Sequence, residues 1–78
     1  MNEPRNTIPN RRIVEYLREL YPRGTRVELV EMEDPQAPPP GTQGTVIGVD
    51  DMGSLMVEWD TGSTLSALYG IDRVRKVV

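Results

Sequence analysis

Arginine, aspartate, tyrosine and one tryptophan carry whatever chemistry this sequence can do, because it contains no histidine and no cysteine. Without them there is no imidazole base, no thiolate nucleophile, no zinc site on nitrogen or sulfur and no disulfide. No glycine-rich phosphate loop is visible. The neighbouring acids Asp50 and Asp51, and Glu58 with Asp60, lack the alternating spacing of a calcium loop and fit tight turns better. No catalytic residue, metal ligand or cofactor is therefore assigned, and recognition is the chemistry that remains. Eight of the nine basic residues are arginine, whose planar fork suits phosphate or carboxylate.

Three places are candidates for a ligand. Arg73 and Arg75, near the end of the chain, can hold an anion. Trp59 and Tyr69, with Ser63 between them in sequence, can stack a base or another planar group if they line a groove; otherwise Trp59 is the core aromatic and Asp60 a turn residue. The stretch Asp34-Pro35-Gln36-Ala37-Pro38 is pre-ordered by its prolines and can present Asp34, Gln36 and backbone carbonyls at low entropic cost. Its plainer role is a stiff connection. The ligand-binding set expected from sequence is thus Asp34, Pro35, Gln36, Pro38, Trp59, Ser63, Tyr69, Arg73 and Arg75.

Charge is unevenly laid out around the net value of −3. Residues 1–26 hold six arginines against three glutamates; residues 27–71 hold eight acids and no base. Residues 72–78 set Asp72 against Arg73, Arg75 and Lys76. An acidic middle between basic ends implies that the ends fold back onto the middle, in the same chain or a second copy. It argues against non-specific nucleic-acid binding, which needs a continuous basic surface.

The elements that must position these residues follow from hydropathy. Residues 1–7 are polar and read as a frayed N-terminus. Residues 8–20 read as an amphipathic helix. Ile13, Tyr16, Leu17 and Leu20 form one stripe at helical spacing, with Val14 just off it. Thr7 is its candidate cap, Pro9 suits its first turn, and Pro22 with Gly24 stops it. From Thr25 the period becomes two. Strands are expected at about 25–32, 45–49, 54–60, 63–69 and 73–78. A long loop spans 33–44, and tight turns fall at Asp50–Gly53 and Asp60–Gly62. Leu65, Ala67 and Tyr69 are expected on one face. The expected core is Val27, Leu29, Val46, Val49, Leu55, Val57, Trp59, Leu65, Ala67 and Val74.

Five short strands with one long loop after the first describe a mainly β protein, a small SH3-like barrel with an N-terminal helix and a barrel domain over 21–78. At 78 residues such a domain has a thin core and no covalent staple, so self-association is an expected remedy. Ile13, Val14, Tyr16, Leu17, Leu20 and Tyr21 are the candidate contact residues for a homo-oligomer. No apolar run is long enough for a membrane span, and Met1 is followed by Asn-Glu-Pro-Arg rather than a secretory pattern, so a cytoplasmic protein is expected.

The stretches Tyr21-Pro22-x-Gly24-Thr25-x-Val27-Glu28-Leu29, Pro38-Pro39-Pro40-Gly41-Thr42-x-Gly44-Thr45-Val46, Val49-Asp50-Asp51-x-Gly53-Ser54-Leu55-Met56-Val57-x-Trp59-Asp60-x-Gly62-Ser63 and Tyr69-Gly70-x-Asp72-x-x-Arg75-Lys76 resemble an uncharacterised domain of unknown function from bacteria, phages and mobile elements. More loosely, Val57-x-Trp59-Asp60-x-Gly62-Ser63 followed by Tyr69-Gly70 resembles the SH3-like domain of Mind-bomb-type ubiquitin ligases. Gly41-x-x-Gly44-Thr45-Val46 resembles KOW-type barrels. The resemblance implies no activity and no site residue; it implies a mobile-element origin.

Two functions are expected from these readings. The first is a phage or mobile-element anti-defence sponge that sequesters a nucleotide-derived immune signalling molecule. The second is an adaptor or inhibitor whose acidic surface meets a basic host defence protein. A single-stranded nucleic-acid barrel of KOW type is a third and weaker expectation, opposed by the acidic middle.

Overall fold

The computed structural model describes residues 11–77. The expected frayed segment, the first residues of the expected helix with Thr7 and Pro9, and Val78 lie outside the described residues. The helix α1 spans Arg11–Leu20, followed by strands β1 (Arg26–Glu31), β2 (Gln43–Val49), β3 (Ser54–Trp59), β4 (Ala67–Leu68) and β5 (Arg73–Lys76). All pairings are antiparallel, in the order β4-β3-β2-β1-β5. Irregularities between Leu29 and Glu31 and between Val46 and Gly48 bend the sheet, as β-bulges do. The edge strands β4 and β5 come close to one another. The architecture is the expected mainly β sheet with one N-terminal helix. Among the described residues, no helix is long and apolar enough to cross a membrane.

The core is built by alternation. Val27 and Leu29 of β1, Val46 and Val49 of β2, and Leu55, Val57 and Trp59 of β3 are buried together with Ala67, Val14 and Leu17. Val74 packs against this cluster half-buried, and Leu65 is likewise half-buried. The Trp59 indole N–H donates to the Leu65 carbonyl at 2.9 Å, so the one polar atom of the largest core side chain is satisfied. β2 passes so close to Trp59 that only glycine fits at Gly44.

Helix α1 departs from its expected phase. Val14 and Leu17 are buried, while Tyr16 is 56% exposed. Ile13, Leu20 and Tyr21 are half-buried beside Val14 and Leu17, so the inward stripe keeps Ile13, Leu17 and Leu20, gains Val14 and loses Tyr16, a rotation of less than one residue. Arg18 fixes this rotation: its Nε and Nη2 donate to the Val49 carbonyl at 3.2 and 3.0 Å, and Nη2 reaches Asp51 at 3.1 Å. Val14 and Leu17 were expected at a contact between copies; their burial inside the chain removes them from it.

Strand β4 is also shorter than the expected 63–69. The Trp59 amide donates to the Ser63 carbonyl, the Ser63 hydroxyl accepts from the Leu65 amide, and the indole takes the Leu65 carbonyl. These bonds hold the segment before Ala67 as an irregular wrap. Beyond Leu68 the chain turns, so Ala67 is buried and Tyr69 is 54% exposed. The expectation that the two share a face is thus corrected.

Among the described residues four ion pairs are formed, and each joins a basic end to the acidic middle: Arg18–Asp51, Arg26–Asp60, Arg73–Glu31 and Arg75–Glu28. The ends fold back within one chain. The closest is a two-pronged contact, with Arg26 Nη1 to Asp60 Oδ1 at 2.9 Å and Nη2 to Oδ2 at 2.6 Å. The same guanidinium donates to Thr45 and Gln43, tying β1, β2 and the turn after β3. The hydrogen bond from Arg26 holds the Asp60 carboxyl below its ordinary value. A depressed folded-state pKa gives stability that is present above the unfolded pKa and lost as pH falls through the folded one. Thermal melts should therefore show the protein weakening below about pH 4, and Asp60→Asn should flatten that acid limb while lowering the melting temperature at pH 7.

Candidate functional site

Among the described residues, an open cleft of about 620 Å³ lies between the C-terminal half of α1, the β4–β5 turn and β5. Its floor includes the core residues Leu17, Leu55 and Ala67. Its walls carry Tyr16, Tyr21, Tyr69, Ile71, Arg73 and Arg75.

Each wall has a local cause. Helical spacing projects Tyr16 from α1 on the side left free by the rotation described above, and Pro22 ends the helix just beyond Tyr21. The β4–β5 turn is closed by three bonds. The Ile71 and Asp72 amides donate to the Leu68 carbonyl at 3.1 and 2.9 Å, and Asp72 Oδ2 accepts from the Leu68 amide at 2.9 Å. Gly70 supplies the positive φ of 84° that this turn requires. The turn therefore presents Tyr69 and Ile71, 54% and 70% exposed, from a fixed backbone. On β5, Arg73 and Arg75 alternate with the half-buried Val74 and so share the outward side.

Electrostatically the cleft is mixed. Burial, with a smaller contribution from the neighbouring Tyr16, pushes the Tyr21 phenol above its ordinary value, so it stays a neutral donor. The Lys76 ammonium lies 5.6 Å from the centroid of the Tyr21 ring, a cation–π distance. Arg73 and Arg75 reach Glu31 and Glu28 at 3.6 and 3.2 Å, and both arginine side chains stay about two-thirds exposed. Each guanidinium has five N–H donors, so a single carboxylate leaves donors free for a ligand.

Of the sequence-derived ligand set, the cleft gathers Tyr69, Arg73 and Arg75, and it adds Tyr16, Leu17, Leu20 and Tyr21 from the expected contact set. The others lie elsewhere. Trp59 is 2% exposed and offers no ring face, which corrects its place in a stacking groove. Ser63 is engaged with the Leu65 amide. In the proline-rich loop Pro38 is buried, a correction to its place in a ligand surface. Asp34 accepts from the Gln36 amide at 2.8 Å, and Pro35 and Gln36 are exposed. The loop is clipped to β1 by bonds from Gly41 to Leu29 and from Leu29 to Thr42. Ile71 and Leu68 were not anticipated. The Tyr69-Gly70-x-Asp72 spacing was the available signal, since glycine and aspartate so placed mark a closed turn that displays its neighbours. Among the described residues, no group of three or more acidic side chains is arranged to hold a metal ion.

The profile of a family described as Domain of unknown function (DUF4314) matches residues 10–77 of the chain. No curated protein and no solved structure matches it.

Proposed function

This chain belongs to the DUF4314 family, and from that premise we propose that it is a non-enzymatic binding protein whose cleft takes a nucleotide-derived small molecule. The observation that carries this reading is the convergence of exposed Tyr16 and Tyr69 with Arg73 and Arg75 in one cleft. Tyrosine faces stack planar rings, each worth about 1–3 kcal/mol for a nucleobase. Arginine forks hold phosphate. With neither histidine nor cysteine in the chain, the ligand is held rather than turned over. We read the curled sheet as an SH3-like barrel and the family as one of phages and mobile elements. The biological role attached to this is sequestration of an immune signal in the host cytoplasm. Calorimetric titration with cyclic nucleotides, cyclic ADP-ribose derivatives and linear adenine nucleotides tests it. Saturable heat with at least one is expected, and none with any of them in a folded sample removes the reading.

The apolar rim supports a second reading, self-association. Tyr16, Leu68, Tyr69 and Ile71 are large, exposed and gathered at one cleft, and such patches mark interaction sites. Sedimentation should find a dimer that Ile71→Glu converts to monomer with little change in melting temperature. A monomer at 100-micromolar-scale concentration contradicts it. The acidic-decoy alternative is weaker, because Glu28, Glu31, Asp51 and Asp60 are occupied by the chain's own arginines.

A further inference from the structure

Both arginines of the cleft carry a resident carboxylate. Glu28 sits directly across the ladder from Arg75, and Glu31 across from Arg73. Neither glutamate lines the cleft, and beside them both arginine side chains stay about two-thirds exposed. We propose that Glu28 and Glu31 form a charge filter that restricts the cleft to ligands bearing a diphosphate rather than a single phosphate. This inference rests on the nucleotide reading given above and names the ligand class within it.

Charge balance and spacing carry the step. Each Glu–Arg pair is formally neutral, so a monophosphate entering the cleft meets two neutralised pairs instead of two bare cations. It must compete with a carboxylate already in place. Arg73 and Arg75 are two residues apart on one side of β5, a separation of about 6.7 Å along the strand. A diphosphate spans neighbouring anionic groups and engages both forks at once, using the donors the glutamates leave free. The second contact is then intramolecular, an advantage that a monophosphate lacks. Exposed ion pairs of this kind are weak, so a diphosphate can share or displace the carboxylates while a monophosphate gains little by doing so.

The experiment is calorimetry of the full chain with AMP and ADP, comparing the unsubstituted protein with Glu31→Gln, Glu28→Gln and the double variant. Melting temperature serves as the check on folding, because Glu28 is partly buried. The unsubstituted protein should prefer ADP by at least about tenfold. Glu31→Gln should raise AMP affinity about two- to fivefold and narrow the ratio, and the double variant should narrow it further. Equal affinities in the unsubstituted protein overturn the filter. So does a ratio that the folded Glu31→Gln variant leaves unchanged, and in that case the nucleotide reading survives. Failure of both nucleotides to bind any folded variant removes the filter and the nucleotide reading together.

Discussion

Gly44→Ala is expected to lower the unfolding free energy by about 2–3 kcal/mol, a large part of what a domain this small has. A Cβ at Gly44 would stand 2.8 Å from the Glu58 carbonyl oxygen, 2.8 Å from Val57 Cγ1 and 2.9 Å from Trp59 Cε3. None of these can move aside cheaply. The carbonyl belongs to β3, fixed opposite β2 in the ladder, and Val57 and Trp59 are buried core residues. Gly48→Ala is the control on the same strand. Its new Cβ meets only the Met56 Cε atom, at 2.9 Å, the far end of a flexible side chain. Chemical denaturation followed by Trp59 fluorescence should therefore separate the two variants clearly. Equal stability of Gly44→Ala and Gly48→Ala would show that the strand contact at Trp59 is not as tight as described.

The second large effect concerns binding. Replacing Arg73 and Arg75 together with alanine should weaken nucleotide binding about 100-fold, since each charge-assisted contact is worth about 1.5–3 kcal/mol. The melting temperature should change little, because the ion pairs these arginines make are exposed and contribute little to stability. Lysine at both positions keeps the charge and loses the fork, so it should recover only part of the affinity. Calorimetry of the three proteins beside their melting curves reads both effects. Undiminished affinity in the folded double-alanine protein would place the ligand away from β5.

Much of this fold was legible because alternation is a strong signal where one face is buried. Val27 and Leu29, and Leu55, Val57 and Trp59, fall inward as their spacing indicates. The charge layout also announced the ion pairs, since each spans a basic end and the acidic middle. The phase of α1 was harder. Ile13 and Val14 are adjacent and similarly apolar, and tyrosine suits either face, so hydropathy alone could not tell which line would face the sheet. Arg18, bonded to a carbonyl distant in sequence, decided it. β4 was over-extended because Leu65, Ala67 and Tyr69 alternate, whereas side-chain bonds to the Leu65 backbone hold the preceding segment out of the ladder.

The cleft was only half legible. Tyr69, Arg73 and Arg75 stood out by residue type, but their assembly with Tyr16 depends on how α1 lies beside the β4–β5 turn. No local pattern encodes that. The prolines at 35 and 38–40 drew attention to their loop, yet proline stiffens a connection as readily as a binding surface. Gly44 carried no visible sign of its packing role, because a glycine after Gly41-Thr42 reads as loop until the neighbouring Trp59 is in place.

The claim that the cleft beside β5 is the ligand site is tested most directly by nuclear magnetic resonance. Backbone amide shifts of the isotopically labelled chain are followed while ADP is added. Binding in the cleft should move the amides of residues 68–75 and of Tyr16 to Tyr21 together, along one saturating curve. Shifts confined to residues 33–42, or no shifts at all in a spectrum that shows a folded protein, would contradict it.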